Sequence, residues 1–112
     1  MNAKELLGRL CENAICGESS VYDCGDGAYM RLIKGAAESD FSKICGECEK
    51  LGYTIFQRND LEENRHASYN GDMLIHIYFC PSEKSLRVIC DPFSARFECE
   101  KPKYERRCGS AL

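Results

Sequence analysis

Tryptophan is absent from this 112-residue chain, and only two histidines and three prolines occur. There is no H-x-H or H-E-x-x-H spacing, no nucleophile elbow and no phosphate-cradling glycine loop, so the common metal-hydrolase, serine-hydrolase and nucleotide-binding motifs are missing. Long hydrophobic runs are missing too. The longest is the aromatic-bearing stretch Ile77–Cys80, with Leu74-Ile75 just before it, too short to cross a bilayer as a helix. A basic surplus is lacking: 15 Lys+Arg stand against 18 Asp+Glu, a net charge of −3. That excludes a nucleic-acid binder with a dominant basic face. The N-terminus, Met1 to Leu7, has no long apolar segment with a small-residue cleavage site, as a secretory signal requires. No internal repeat or low-complexity tract is present.

What is present in excess is cysteine, with nine residues: Cys11, Cys16, Cys24, Cys45, Cys48, Cys80, Cys90, Cys99 and Cys108. The odd count, the missing signal and the regular patterns around several of them argue against a secreted disulfide framework. Reduced thiols in a cytoplasmic protein are the expectation. The remaining composition, 44% hydrophobic and 29% charged, is that of one ordinary globular domain. A chain of this length buries about two-thirds of its surface without staples.

The spacing predicts a helix over 2–16, with Asn2 as N-cap, Glu5 closing a capping box and Gly17 ending it. Leu6, Leu7, Leu10, Cys11, Ala14 and Ile15 form its apolar stripe. A short strand near Val21-Tyr22, a turn at Asp26-Gly27 and a strand over 28–33 follow. The second helix starts near a Ser39 cap, buries Phe41, Ile44, Cys45, Cys48 and Leu51, and stops at Gly52. Then comes a β-meander: strands over 53–57, 65–69, 73–80 and 86–90, with a tight turn at Asn70-Gly71-Asp72 and a break at Asp91-Pro92. In the long strand, Met73, Ile75, Ile77 and Phe79 point one way, and Leu74, His76, Tyr78 and Cys80 the other.

The fold class read from this order is α+β, a two-layer arrangement with an antiparallel sheet of about four to five strands and both helices on one face. Residues 1–92 form the domain. Residues 93–112 are expected as an extended tail or linker, with one edge strand near 95–99. The opposite sheet face carries His76, Tyr78 and Arg87, a candidate docking face.

Cys45-Gly46-Glu47-Cys48 is the one short chemical motif. It admits three readings: a thiol–disulfide pair, half of a zinc site, or two small apolar residues on a buried helix face. A redox thiol belongs at a helix N-terminus, and Cys45 is mid-helix, where the helix-end field has faded. Structural zinc needs four ligands, and there is no second C-x-x-C. The core reading therefore leads, with Cys45 and Cys48 as the metal or redox alternative. A further alternative is a small hydrolase pairing His76 with Cys80 or Cys90. Lys101, Lys103, Arg106 and Arg107 are interrupted by Glu105 and read as a solvated tail.

Several residues of the meander carry a resemblance. They are Leu51-Gly52-Tyr53 at a helix end, Asn64-x-x-Ala67-x-Tyr69, Ile75-His76-Ile77-Tyr78, Pro81-Ser82-Glu83-Lys84-x-Leu86-Arg87, and Tyr104-Glu105-Arg106-x-Cys108 in the tail. Over residues 48–108 the chain resembles an N-terminal domain that precedes the catalytic domain in some large metallo-β-lactamase-fold hydrolases of anaerobic bacteria. The resemblance implies a non-catalytic accessory domain whose partner is a following hydrolase domain. The zinc-binding H-x-H-x-D-H motif of such hydrolases would lie beyond Leu112, so no catalytic or metal residue carries over. The expected function is thus a small non-enzymatic domain that packs against another protein or domain, with no nucleic acid, membrane or obligatory cofactor.

Overall fold

A computed structural model describes residues 1–12, 19–60 and 63–92. Eight elements follow in chain order: α1 (Ala3–Leu10), β1 (Ser19–Gly25), β2 (Ala28–Lys34), α2 (Glu38–Lys50), β3 (Thr54–Asp60), β4 (Arg65–Asn70), β5 (Leu74–Cys80) and β6 (Ser85–Asp91). The strands form one six-stranded antiparallel sheet in the order β1-β2-β6-β5-β4-β3. Two hairpin systems are thereby joined, β1–β2 and the β3–β6 meander, and the β2–β6 pairing is the seam. Both helices lie on one face, α1 over β2 and β6, α2 over β5.

The α+β architecture matches expectation, but the sheet has six strands rather than four to five. The difference lies at the edges. β1 reads Ser-Ser-Val-Tyr-Asp-Cys-Gly and is exposed along most of its length, so its own pattern carries little strand signal. Pairing with β2 makes it a strand, from Ser19 opposite Ile33 to Gly25 opposite Ala28. β3 runs on to Asp60, past the strand end expected at residue 57, because β4 supplies partners as far as Arg65. An edge strand tolerates polar side chains because its pairing comes from the backbone.

Local chemistry explains most element ends. Asn2 Oδ1 accepts from the Glu5 N–H at 2.8 Å and Glu5 Oε1 accepts from the Asn2 N–H at 2.9 Å, a complete capping box. α1 then stops at Leu10 with Cys11 as C-cap, shorter than the expected helix. The first helix was expected to run to residue 16 and end at Gly17, and both positions lie outside the described residues, as do the tail over 93–112 and its edge strand. In α2 the cap is Ala37 rather than Ser39. Ala37 has no polar side chain, but the buried Asp40 carboxylate accepts from its N–H at 2.8 Å. At the other end the Tyr53 N–H donates to Cys48 O and the Gly52 N–H to Glu49 O, both 3.0 Å, with Gly52 at φ +89°. This double closure across a left-handed glycine is a Schellman motif. Asp26 and Gly27 both have positive φ, as a two-residue hairpin turn requires.

The core fills the space between helices and sheet. Leu6, Leu7, Leu10 and Cys11 meet Ile33, Leu86, Val88 and Cys90, while Phe41, Ile44, Cys45 and Cys48 meet Tyr69, Ile75, Ile77 and Phe79. The period-2 alternation expected for β5 and β6 therefore holds. At the β4–β5 turn, Tyr53 packs so closely that a Cβ on Gly71 would sit 2.6 Å from its Cδ1. Gly71→Ala is expected to destabilise the fold by about 1–3 kcal/mol, as overpacking does. Urea unfolding of the variant checks this, and a cost near zero would show that the ring swings aside freely.

Candidate functional site

Antiparallel pairing sets the face opposite the helices. β4 places His66 and Ser68 on it, β5 places Leu74, His76 and Tyr78, and β6 places Arg87 and Ile89. The Asn70–Leu74 pairing fixes the register, so Ser68 stands opposite His76, and His66 opposite Tyr78. On the next strand Ile89 stands opposite His76 and Arg87 opposite Tyr78. The three residues expected as a docking face thus share one face.

Their surroundings differ from expectation. His76 and Tyr78 are only 2% and 7% exposed, and Ile89 is fully buried, so this is not an open surface. Met30 packs against Tyr78 and Ile89 in a second, smaller apolar cluster.

The polar residues make a compact constellation. Ser68 Oγ lies 2.8 Å from His66 Nε2 and 2.7 Å from His76 Nδ1, and the two ring nitrogens are 3.3 Å apart. The His66 ring stacks flat on Tyr78, with centroids 4.4 Å apart and an interplanar angle of 1°. Phe56 meets the His76 ring edge-on at 6.5 Å. Burial lowers the His66 pKa to about 4, so this imidazole is neutral near pH 7.

A hydroxyl between two imidazoles invites a nucleophilic reading, but Ser68 is fully buried and no substrate carbonyl can approach it. As a metal site it supplies two nitrogens and a neutral hydroxyl. Among the described residues no group of three or more His, Cys, Asp or Glu is arranged to hold a metal ion.

The thiol candidates fall elsewhere. Cys90 is on the helix side of the sheet and His76 on the other, so the strand separates them. Cys80 shares the His76 face but is four residues along the strand, a separation of about 13 Å at the usual rise per residue. Its sulfur lies instead 3.3 Å from Ser82 Oγ. The structure brings neither thiol to the histidine.

Cys45 and Cys48 are buried thiols on the inner face of α2, not joined in a disulfide. Burial above all, then the neighbouring Cys45, Glu49 and Cys11, holds Cys48 well above the ordinary thiol range. Burial likewise raises Cys90, helped by Cys48 and Cys11. Cys11 is pushed up to about 11 by burial, against the opposing pull of Arg31. These groups stay protonated near neutral pH, the reverse of a reactive or metal-binding thiolate.

Two grooves remain. One of about 280 Å³ is floored by Ala36, Phe79 and Pro81 and flanked by Glu38 and Lys84. The other, about 120 Å³, lies between Leu6, Leu51, Tyr53 and Asp72. Neither contains a histidine or a cysteine.

Exposed apolar side chains concentrate at the sheet edges. Among the described residues the large ones are Met1, Val21 and Tyr22 on β1, and Ile55 and Phe56 on β3, the last four between 41% and 47% exposed. β3 carries a bulge between Ile55 and Gln57.

No protein-family model matches the chain, and neither does any curated protein or solved structure.

Proposed function

We propose that this chain is a non-enzymatic accessory domain that binds another protein or domain through its sheet edges. The carrying observation is the adjacent apolar pairs, Val21-Tyr22 and Ile55-Phe56, on the two outermost strands. Edge strands offer backbone N–H and C=O groups to an incoming strand, and alternate side chains supply the apolar contact. Natural edges are usually guarded by charge; here each presents two large apolar residues in succession.

The candidate partner is a following hydrolase domain of the metallo-β-lactamase fold, as the resemblance of residues 48–108 implies. A reducing cytoplasm suits both the thiols and that setting. His76, Tyr78 and Arg87 then serve as the packed support between the edges rather than as the contact itself.

The reading frame beyond codon 112 tests the partner. A domain carrying H-x-H-x-D-H is expected, and an unrelated frame would overturn that part of the proposal. Hydrogen exchange of the longer protein against residues 1–112 tests the edges. Slower exchange is expected at Ile55–Arg58 or Val21–Asp23, and unchanged exchange at both would overturn edge docking.

A further inference from the structure

The chain contains two histidines, and both meet at one point on the sheet face opposite the helices. We propose that the His66–Ser68–His76 cluster is an acid-sensitive latch across the β4–β5 pair, closed while both rings are neutral and loosened when either takes up a proton.

The hydrogen count makes the case. Each neutral imidazole brings one N–H and one lone pair, and Ser68 brings one O–H. With Ser68 Oγ at 2.8 Å and 2.7 Å from the two nitrogens, the hydroxyl donates to one ring and accepts from the other. In the neutral cluster both Ser68 contacts are thereby matched, donor to acceptor. A proton added at the accepting nitrogen makes it a donor, so two N–H groups confront each other across 3.3 Å with one oxygen to share; on the other ring the proton goes to the far nitrogen and adds its charge alone. It also places charge beside a fully buried serine and a histidine that is 2% exposed.

Two effects oppose each other at His66. An imidazolium stacked on Tyr78 gains from the ring's negative face. Burial works the other way and dominates, since it is the cause that lowers the His66 pKa.

The groups around the cluster do not reverse this. β3 contributes Phe56, edge-on to His76, and Asn59, the register partner of His66. β6 contributes Ile89 opposite His76 and Arg87 opposite Tyr78, and the Arg87 charge adds to the repulsion. Asp91 stands one pair further along, opposite Leu74. β2 contributes the apolar Met30. The helices pack on the other face.

The sign follows from linkage. Above an unfolded histidine pKa of about 6.5 neither state binds the proton and the latch contributes fully. As pH falls from there toward about 4, the unfolded chain takes up a proton that the folded chain refuses, and stability is lost. Histidine is the one side chain whose ordinary pKa lies between pH 5 and 8, so proton-linked change in this window reports on these two rings. Loosening β4 from β5 uncovers Tyr78 and Ile89, which makes the latch a control on this face; it stands independently of edge docking.

The test is urea unfolding at about pH 7 and about pH 5, together with NMR titration of the two histidine ring protons. Allowing for the partial exposure of His66, the unfolding constant is expected to rise about tenfold between those conditions. His66→Phe, which keeps a ring on Tyr78, should abolish most of that rise. A wild-type unfolding constant that does not change, a variant with the wild-type pH dependence, or a His66 ring titrating at its ordinary pKa would overturn the proposal. The titration needs only the wild-type chain, so it decides even if the variant fails to fold.

Discussion

Phe41→Ala is expected to destabilise the fold by about 3–5 kcal/mol, the range for removing a buried aromatic ring. Phe41 is 1% exposed in the first turns of α2 and packs on Phe79 of β5, with centroids 6.4 Å apart. Arg58 of the edge strand β3 lies over its ring at 5.2 Å. The ring therefore joins three elements that are distant in sequence: the helix, a central strand and an edge. Truncation removes the transfer energy of the ring and leaves a void that Ile44 and Phe79 cannot close without moving. Domains are stable by about 5–15 kcal/mol, so this one change removes a large share. Urea denaturation measures it, and Phe41→Leu, which keeps most of the volume, should cost clearly less. Equal costs would mean that the cavity is not the cause.

The second large effect is expected at Leu7. α1 has eight residues, too few for a helix to persist in water by its own hydrogen bonds. Its capping box contributes, but packing of Leu6, Leu7 and Leu10 over β2 and β6 holds it. Leu7→Ala should cost about 2–5 kcal/mol, as buried leucine truncations do. It should also strip hydrogen-exchange protection from α1 before the sheet opens. Asn2→Ala, which removes one cap bond, should cost only about 1 kcal/mol. Exchange that quickens in α1 and the sheet together would contradict the idea that packing is what chiefly holds the helix.

The parts legible in the sequence are those where one side chain's environment is set by its neighbours along the chain. β5 alternates because its two faces meet different layers, and Ile75, Ile77 and Phe79 show it. α2 announces its end because Leu51-Gly52-Tyr53 contains the one residue type that tolerates the closing φ. Its start lies two residues before the expected Ser39, because Ser39 looks like a cap whereas Asp40 caps Ala37 from inside the first turn. Of β1 only Val21-Tyr22 reads as strand, since its side chains are mostly exposed and its full length comes from pairing with β2.

The candidate site shows the same division. His76 and Tyr78 were placed on one face by alternation alone. The sequence pairs His76 with the thiols Cys80 and Cys90, because a histidine on a strand with a cysteine suggests chemistry. Ser68 and His66 carry the actual contacts, and the signal was present: Asn70-Gly71-Asp72 sets the turn, and counting outward from it pairs residue 68 with 76. The spread of the β5–β6 pairing into the β1–β2 hairpin, which determines how much of that face is sealed, has no local signature. The cysteines were better read by position. Cys11, Cys45, Cys48, Cys80 and Cys90 lie where a small apolar residue fits; all but Cys80, which is half-exposed at the end of β5, are buried.

Among the described residues Cys11, Cys45, Cys48, Cys90, Ser68 and His76 are internal to the fold, and the exposed edges are the surface that the proposed docking uses. Thiol labelling of the native chain at neutral pH, mapped peptide by peptide, tests it most directly. Cys11, Cys45, Cys48 and Cys90 should react no faster than the protein unfolds, while the half-exposed Cys24 and Cys80 label readily. Rapid labelling of Cys45 or Cys48 in the folded protein below pH 7 would contradict the account and return the pair to redox or metal chemistry.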